Sequence, residues 1–160
     1  MDYELLTAQL SALLEDEPNL TANLANAAAL LKAEMASLNW VGFYFVGPSR
    51  KVGGADELVL GPFQGLPACL RLPFFKGVCG TAWARNETLV VEDVHAFPGH
   101  IACDSASESE VVVPLHDRTG SVIGVLDLDS PEKGRFSDVD RRGLEAFCRV
   151  LEVRLFLPQL

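Results

Sequence analysis

Glu110-Val111-Val112-Val113-Pro114-Leu115, then Asp117-Arg118-Thr119-Gly120, then Val122-Ile123-Gly124-Val125-Leu126-Asp127-Leu128 form the most strongly patterned stretch of this 160-residue chain. Two β-branched runs flank a turn rich in Asp, Thr and Gly, the signature of a hairpin. The two-residue period of a strand puts Asp127 and Asp129 on one face. If the turn pairs Asp117 with Gly120, or His116 with Ser121, Glu110 stands opposite Asp127. Three carboxyls then meet on one patch, where like charges raise the pKa of at least one. Such a patch can hold an ammonium group and keep a proton for general acid work. The competing reading is a solvated strand end running into Ser130-Pro131, and a slip of one residue dissolves the cluster.

Outward from the hairpin, the pattern stays that of one α+β domain. Residues 2–15 carry Leu5, Leu6, Leu10, Leu13 and Leu14 at helical spacing, and Pro18 ends that stretch. An Ala- and Leu-rich run from Thr21 to Met35 predicts a second helix. Trp40-Val41-Gly42-Phe43-Tyr44-Phe45-Val46 reads as a strand and Glu57 to Leu60 as its hairpin partner. Ala68 to Pro73 and Thr88 to Val91 are further short strands, with a short helix starting near Val78 between them. Asp93 to Ser109 shows no periodicity, and a loop that long inside a compact domain is usually functional. Ser137 with Asp140 suggests a capping box, ahead of the apolar stripe Leu144, Phe147, Cys148, Leu151 and Leu155. The expected architecture is one antiparallel sheet of about six strands, helices on one face and a ligand pocket on the other. It is a single domain over 1–160, with N-terminal helices in 1–36, sheet and loops in 39–130 and a closing helix in 137–157.

The bulk numbers exclude several function classes. Hydrophobic residues make up 49% and charged residues 22%, and the formal net charge is −9. That charge opposes nucleic acid, whose binding rests on Lys and Arg contacts to phosphate, and an anionic membrane surface. No apolar run reaches the length of a membrane span. The acidic start, Met1-Asp2-Tyr3-Glu4, lacks the marks of a signal peptide, so the expected compartment is the cytoplasm. Thiols are kept reduced there, and disulfides tend to be transient and catalytic.

Four cysteines must therefore be read one at a time. Cys148, on the apolar stripe, is a buried small hydrophobe. Cys79 lies near a helix start, which favours a thiolate. Cys69 sits in a short strand, and Cys103 lies on the polar loop. His95, His100 and Cys103 could supply zinc ligands, but their spacing matches no strong zinc pattern, so no metal is expected. Trp40 and Tyr44 are either pocket wall or core.

The stretches Gly61-Pro62-Phe63-Gln64-Gly65, Pro67-Ala68-Cys69 and Lys76-Gly77-Val78-Cys79-Gly80-Thr81 resemble a known family. The likeness continues through Asp93-Val94-His95, Phe97 to Asp104, Ser107, Ser109-Glu110, Ile123 to Asp127 and Asp129-Ser130. With Asn39 to Tyr44, these look like the free methionine-R-sulfoxide reductases, which are built on a GAF domain, and the resemblance covers about residues 20–155. It implies Cys103 as the nucleophile, Cys69 as the resolving cysteine, and Cys79 as a third that can enter the disulfide. It also implies that Glu110, Asp127 and Asp129 contact substrate, with Trp40 and Tyr44 beside them. Two positions depart from the family. Phe75 stands where a small residue, often Gly, is usual, and Trp83 is bulkier than its counterpart.

The expected reaction is reduction of free L-methionine (R)-S-oxide. Cys103 becomes a sulfenic acid, Cys69 or Cys79 resolves it to a disulfide, and thioredoxin or another dithiol restores the thiols. No bound cofactor is expected, and a homodimer is open as a further partner. The alternative is a non-catalytic GAF module that senses a small ligand or oxidants.

Overall fold

Short polar side chains set the helix starts. In the computed structural model, which describes residues 1–156, the Asp2 carboxylate caps helix α1 (Tyr3–Leu13) by accepting from the Leu5 amide. Asn19 caps α2 (Leu20–Glu34) through the Ala22 amide. These caps satisfy amides that have no partner inside the helix. The chain continues as β1 (Trp40–Gly47), β2 (Glu57–Gln64), β3 (Arg71–Pro73), α3 (Gly77–Arg85), β4 (Leu89–Val91), β5 (Ser109–His116), β6 (Val122–Ser130) and α4 (Asp138–Leu151). A π-helical turn, Glu152–Phe156, extends α4. The last residue of the expected 137–157 helix lies outside the described residues, as do 158–160.

The six strands form one antiparallel sheet in the order β3-β2-β1-β6-β5-β4. Alternation along β1 sorts its side chains between two cores. Val41 and Phe43 enter the larger one, with Leu6, Leu24, Leu31 and Phe147 from α1, α2 and α4. Each large apolar side chain there contributes roughly 1.5–3 kcal/mol by leaving water. Trp40 and Tyr44 enter the smaller core on the opposite face, with Val78, Cys79, Val112 and Val125. Helix α3 thus packs on the second face, so the expected gathering of helices on one face holds for α1, α2 and α4.

The expected capping box is present: Ser137 Oγ accepts from the Asp140 amide, and Asp140 accepts from the Ser137 amide. Tyr3 Oη also donates to Asp140 Oδ1 at 2.7 Å, tying the first helix to the last. The ring of Tyr3 lies directly over Gly143, where any Cβ would overlap it. No helix among the described residues is long and apolar enough to cross a membrane.

Two local expectations are corrected. The β5–β6 register places Glu110 opposite Asp129 and Val112 opposite Asp127, not Glu110 opposite Asp127. Two irregularities cause this. The turn closes Asp117 on Ser121, with the Asp117 carboxylate accepting from the Thr119 and Ser121 amides. Ile123 is then passed over, since Leu115 pairs with Gly124 and His116 with Val122. The two single steps add to a shift of two residues, which preserves the face of every side chain. Second, β2 runs on to Gln64 and β3 starts only at Arg71, so Cys69 sits in a loop between them and not in a strand. Phe75, which stands where a glycine is usual, has φ +61°. The other non-glycine residues at positive φ among the described residues are Asp16, Ser37 and Asn86, short polar residues that tolerate this region better than an aromatic does. The left-handed conformation costs a side-chain-bearing residue roughly 1–2 kcal/mol. That is the physical sense of the glycine expected at this position.

Candidate functional site

The second core opens into a cavity of about 40 Å³. Trp40 and Tyr44 wall it from β1, Glu110 comes from β5, Asp127 and Asp129 from β6, and Cys79 from the first turn of α3. The register explains this convergence: Trp40 pairs with Asp129 and Gly42 with Asp127 across β1–β6, and Glu110 pairs with Asp129 across β5–β6. Directly paired residues share a face, so three adjacent strands deliver aromatic and carboxyl groups to one spot. Helix α3 approaches closely because Gly80 has no side chain, and a Cβ there would overlap the Pro73 carbonyl.

Loops supply the rest. Cys103 lines the cavity together with His100, Ile101, Asp104 and Ser107. It is disulfide-bonded to Cys69, with a Cα–Cα distance of 5.5 Å. Cys69 does not line the cavity. Its loop is fastened by the aromatic wall: Tyr44 Oη donates to the Cys69 carbonyl at 3.0 Å, and Trp40 Nε1 donates to the Leu66 carbonyl at 3.2 Å. Trp40 and Tyr44 therefore hold the loop as well as bounding the pocket. On the other side, Asn39 Nδ2 donates to Asp104 Oδ2 and Ser107 Oγ, pinning the Cys103 loop to the start of β1. The residue-type reasoning gave Asn39 no role; its polar side chain just before a strand was the available signal.

The floor is strongly acidic. Cys79 Sγ lies 3.9 Å from Glu110 Oε1, and both residues are buried. Burial, then the charge of Asp127, pushes Glu110 well above the usual carboxyl range, and the same two causes act on Asp129. Burial raises Asp127 to about 6, opposed by side-chain hydrogen bonds from Glu110 and Cys79. Burial first, and the carboxylates second, also push the Cys79 thiol up. Cys79 is thus held as a thiol at neutral pH, in contrast to the thiolate expected at a helix start. The helix terminus is outweighed by desolvation and three acidic neighbours. Asp127 Oδ1 is buried and has no hydrogen-bond partner among the described residues. A buried acceptor without a donor costs free energy unless a ligand supplies one. The arrangement can take a cationic N–H donor and can hold a transferable proton.

Cys148 is buried in the main core. His95, His100 and Cys103 do not converge as metal ligands. His95 is exposed and pairs with Glu108 at 3.4 Å. His100 Nε2 stands 4.0 Å from Glu110 Oε2, and burial lowers its pKa. The ligand-spaced clusters among the described residues are Cys79–Glu110–Asp127 and Asp93–His95–Glu108.

Comparison with known proteins gives consistent matches along the chain. The GAF domain family pattern matches residues 17–155. The chain is 53% identical to Protein YtsP of Bacillus subtilis, covering 96% of this chain and 91% of that one. It is 49% identical to the free methionine-R-sulfoxide reductase of Escherichia coli, covering 94% and 86%. The X-ray structure of the free methionine-R-sulfoxide reductase of Neisseria meningitidis with its substrate superposes with a TM-score of 0.86. It is 48% identical over 95% of this chain and 87% of that one.

Proposed function

The chain belongs to the GAF domain family, in the branch that holds the free methionine-R-sulfoxide reductases, and on that premise we propose that it reduces free L-methionine (R)-S-oxide to methionine. One observation supports this above all. Cys103, bonded to Cys69, lines a cavity whose floor carries three carboxyls, of which Glu110 and Asp127 are buried, and the partnerless acceptor Asp127 Oδ1.

In the proposed cycle, the Cys103 thiolate attacks the sulfoxide sulfur. Glu110 or Asp129, in which burial raises the pKa and favours the protonated form, donates a proton to the sulfoxide oxygen. That oxygen passes to Cys103 as a sulfenic acid, and methionine departs. The Cys69 thiol then displaces water from the sulfenic acid and forms the disulfide. A dithiol, such as thioredoxin, returns both cysteines to thiols with two electrons. Cys79, protonated and hydrogen-bonded to Glu110, is a weak nucleophile, so Cys69 is the preferred resolver.

The substrate ammonium is assigned to Asp127. Methionine within a peptide has no such charge, which gives a physical reason for preferring the free amino acid.

The deciding experiment is methionine release from the free R-sulfoxide with excess dithiol, compared with the S-epimer and a blocked peptide. Turnover of the free R form alone is expected. Tight binding without methionine release would favour a GAF sensor instead.

A further inference from the structure

The exposed apolar side chains near the disulfide need an explanation that the pocket does not supply. Leu66, Leu70, Phe74 and Phe75 are each more than half exposed. Leu66 and Leu70 bracket Cys69 in its loop, and Phe74 and Phe75 follow the short strand β3. Phe74 stacks edge-on against Trp83 at 4.7 Å and lies beside Phe75 at 6.4 Å. Phe75 directly precedes Lys76 and Gly77, which line the same cavity as Cys103. Phe75 and Trp83 thus both pack on Phe74, in one aromatic group next to the cavity lining. Phe75 is held there at φ +61° while 54% exposed, so burial of its ring does not offset the strain. Strain kept at a surface site points to a function for the side chain.

We propose that Leu66, Leu70, Phe74 and Phe75 form the docking surface for the protein dithiol that reduces the Cys69–Cys103 disulfide. The proposal rests on the reading of that disulfide as the oxidised product of turnover. The bond fixes the occupant. A protein reductant must bring a thiolate onto one of these sulfurs, and the exposed Leu66 and Leu70 on either side of Cys69 in the chain, with Phe74 and Phe75 next to the cavity-lining Lys76 and Gly77, give its surface a place to sit. A second copy of the chain on the same patch would cover the bond that has to be reduced. The geometry also selects the sulfur. Cys103 lines the cavity and Cys69 does not. The incoming thiolate attacks Cys69, the Cys69–Cys103 bond breaks, and Cys103 leaves as a thiolate. The reductant's second thiol then attacks the mixed disulfide, frees Cys69 and leaves the reductant oxidised.

The test compares Phe75→Gly and Leu70→Ser with the parent chain, using thioredoxin and dithiothreitol as alternative reductants at saturating sulfoxide. Phe75→Gly removes the ring and relieves the backbone, so it folds at least as well as the parent. The expected result is a thioredoxin KM raised at least tenfold, with dithiothreitol-driven kcat within twofold of the parent. Thioredoxin lacking its second cysteine is expected to trap a mixed disulfide on Cys69, mapped by peptide mass spectrometry. An unchanged thioredoxin KM in both variants overturns the proposal. So does a trap found only on Cys103, or a dimer in the parent that becomes a monomer in either variant. A parent that turns over with neither reductant instead removes the reductase reading itself.

Discussion

Glu110 stands directly opposite Asp129 across the β5–β6 ladder, and Asp127 occupies the next position on that face, opposite Val112. No Lys or Arg answers these three carboxyls among the ion pairs of the described residues; the nearest basic group is His100, 4.0 Å from Glu110. The site therefore holds an unneutralised acidic cluster in a low-dielectric setting, and its cost appears in stability.

Asp127 has a folded pKa of about 6 against an ordinary value of 3.8. The folded protein thus holds this proton more tightly than the unfolded chain, and stability falls as pH rises from about 4 to about 6. Asp127→Asn removes that penalty. Melting curves are expected to show the variant more stable than the parent at pH 7.5, by on the order of 3 kcal/mol. The advantage shrinks at pH 4.5. The same variant loses the negative charge assigned to the substrate ammonium, so its KM for the sulfoxide rises at least tenfold. A variant with a lower melting temperature at pH 7.5 would count against the buried-charge account.

The two disulfide cysteines should fail differently. Cys103→Ser is expected to lower methionine release by at least a thousandfold with any reductant. Cys69→Ser should still release about one equivalent of methionine per chain in a single turnover, leaving a sulfenic acid that a cyclic diketone captures. Rapid-quench chromatography and intact-mass spectrometry separate the two cases. A full burst from Cys103→Ser would move the nucleophile elsewhere.

Thiol labelling tests the assignment of Cys79 and Cys148 as inert. Both are buried with raised thiol pKa values, so neither presents the reactive thiolate. Iodoacetamide at pH 7.5 should label almost nothing in the oxidised native protein, two sites after unfolding, and four after unfolding with reduction. Rapid native labelling at Cys79 would show that its thiol ionises.

Gly143→Ala is a stability prediction remote from the site. Its methyl group must displace the Tyr3 ring, and with it the hydrogen bond from Tyr3 Oη to Asp140. A loss of about 2–4 kcal/mol is expected from the combination of overpacking and a broken part-buried hydrogen bond. Urea denaturation with Tyr3→Ala in the Gly143→Ala background checks the cause, since the second change should recover part of the loss.

Local signals in the chain were readable wherever the deciding interaction is itself local. The Ser137–Asp140 box, the Asp117–Gly120 turn region and the apolar stripe that buries Cys148 involve residues close in sequence. The carboxyl cluster was readable for a subtler reason. The expected register was off by two residues, and a two-residue shift leaves the faces of a strand unchanged. What stayed hidden depends on distant partners. Cys69 reads as a strand residue because Ala68 to Pro73 has strand composition, yet Tyr44 and Trp40 draw that segment into a loop. The protonated state of Cys79 follows from burial first and then from Asp127 and Glu110, which lie on other elements. Asn39 acts on a loop 65 residues further along the chain.

The Cys69–Cys103 bond joins the loop before edge strand β3 to the loop after the opposite edge strand β4, over a separation of 34 residues. It works as a buckle across the face of the sheet. On a chain-entropy view, closing such a loop removes about 4 kcal/mol of freedom from the unfolded chain. Each round of the proposed cycle therefore fastens and unfastens the protein mechanically. When reductant runs short the molecule accumulates in its fastened form, which is the form that proteases and heat attack least easily.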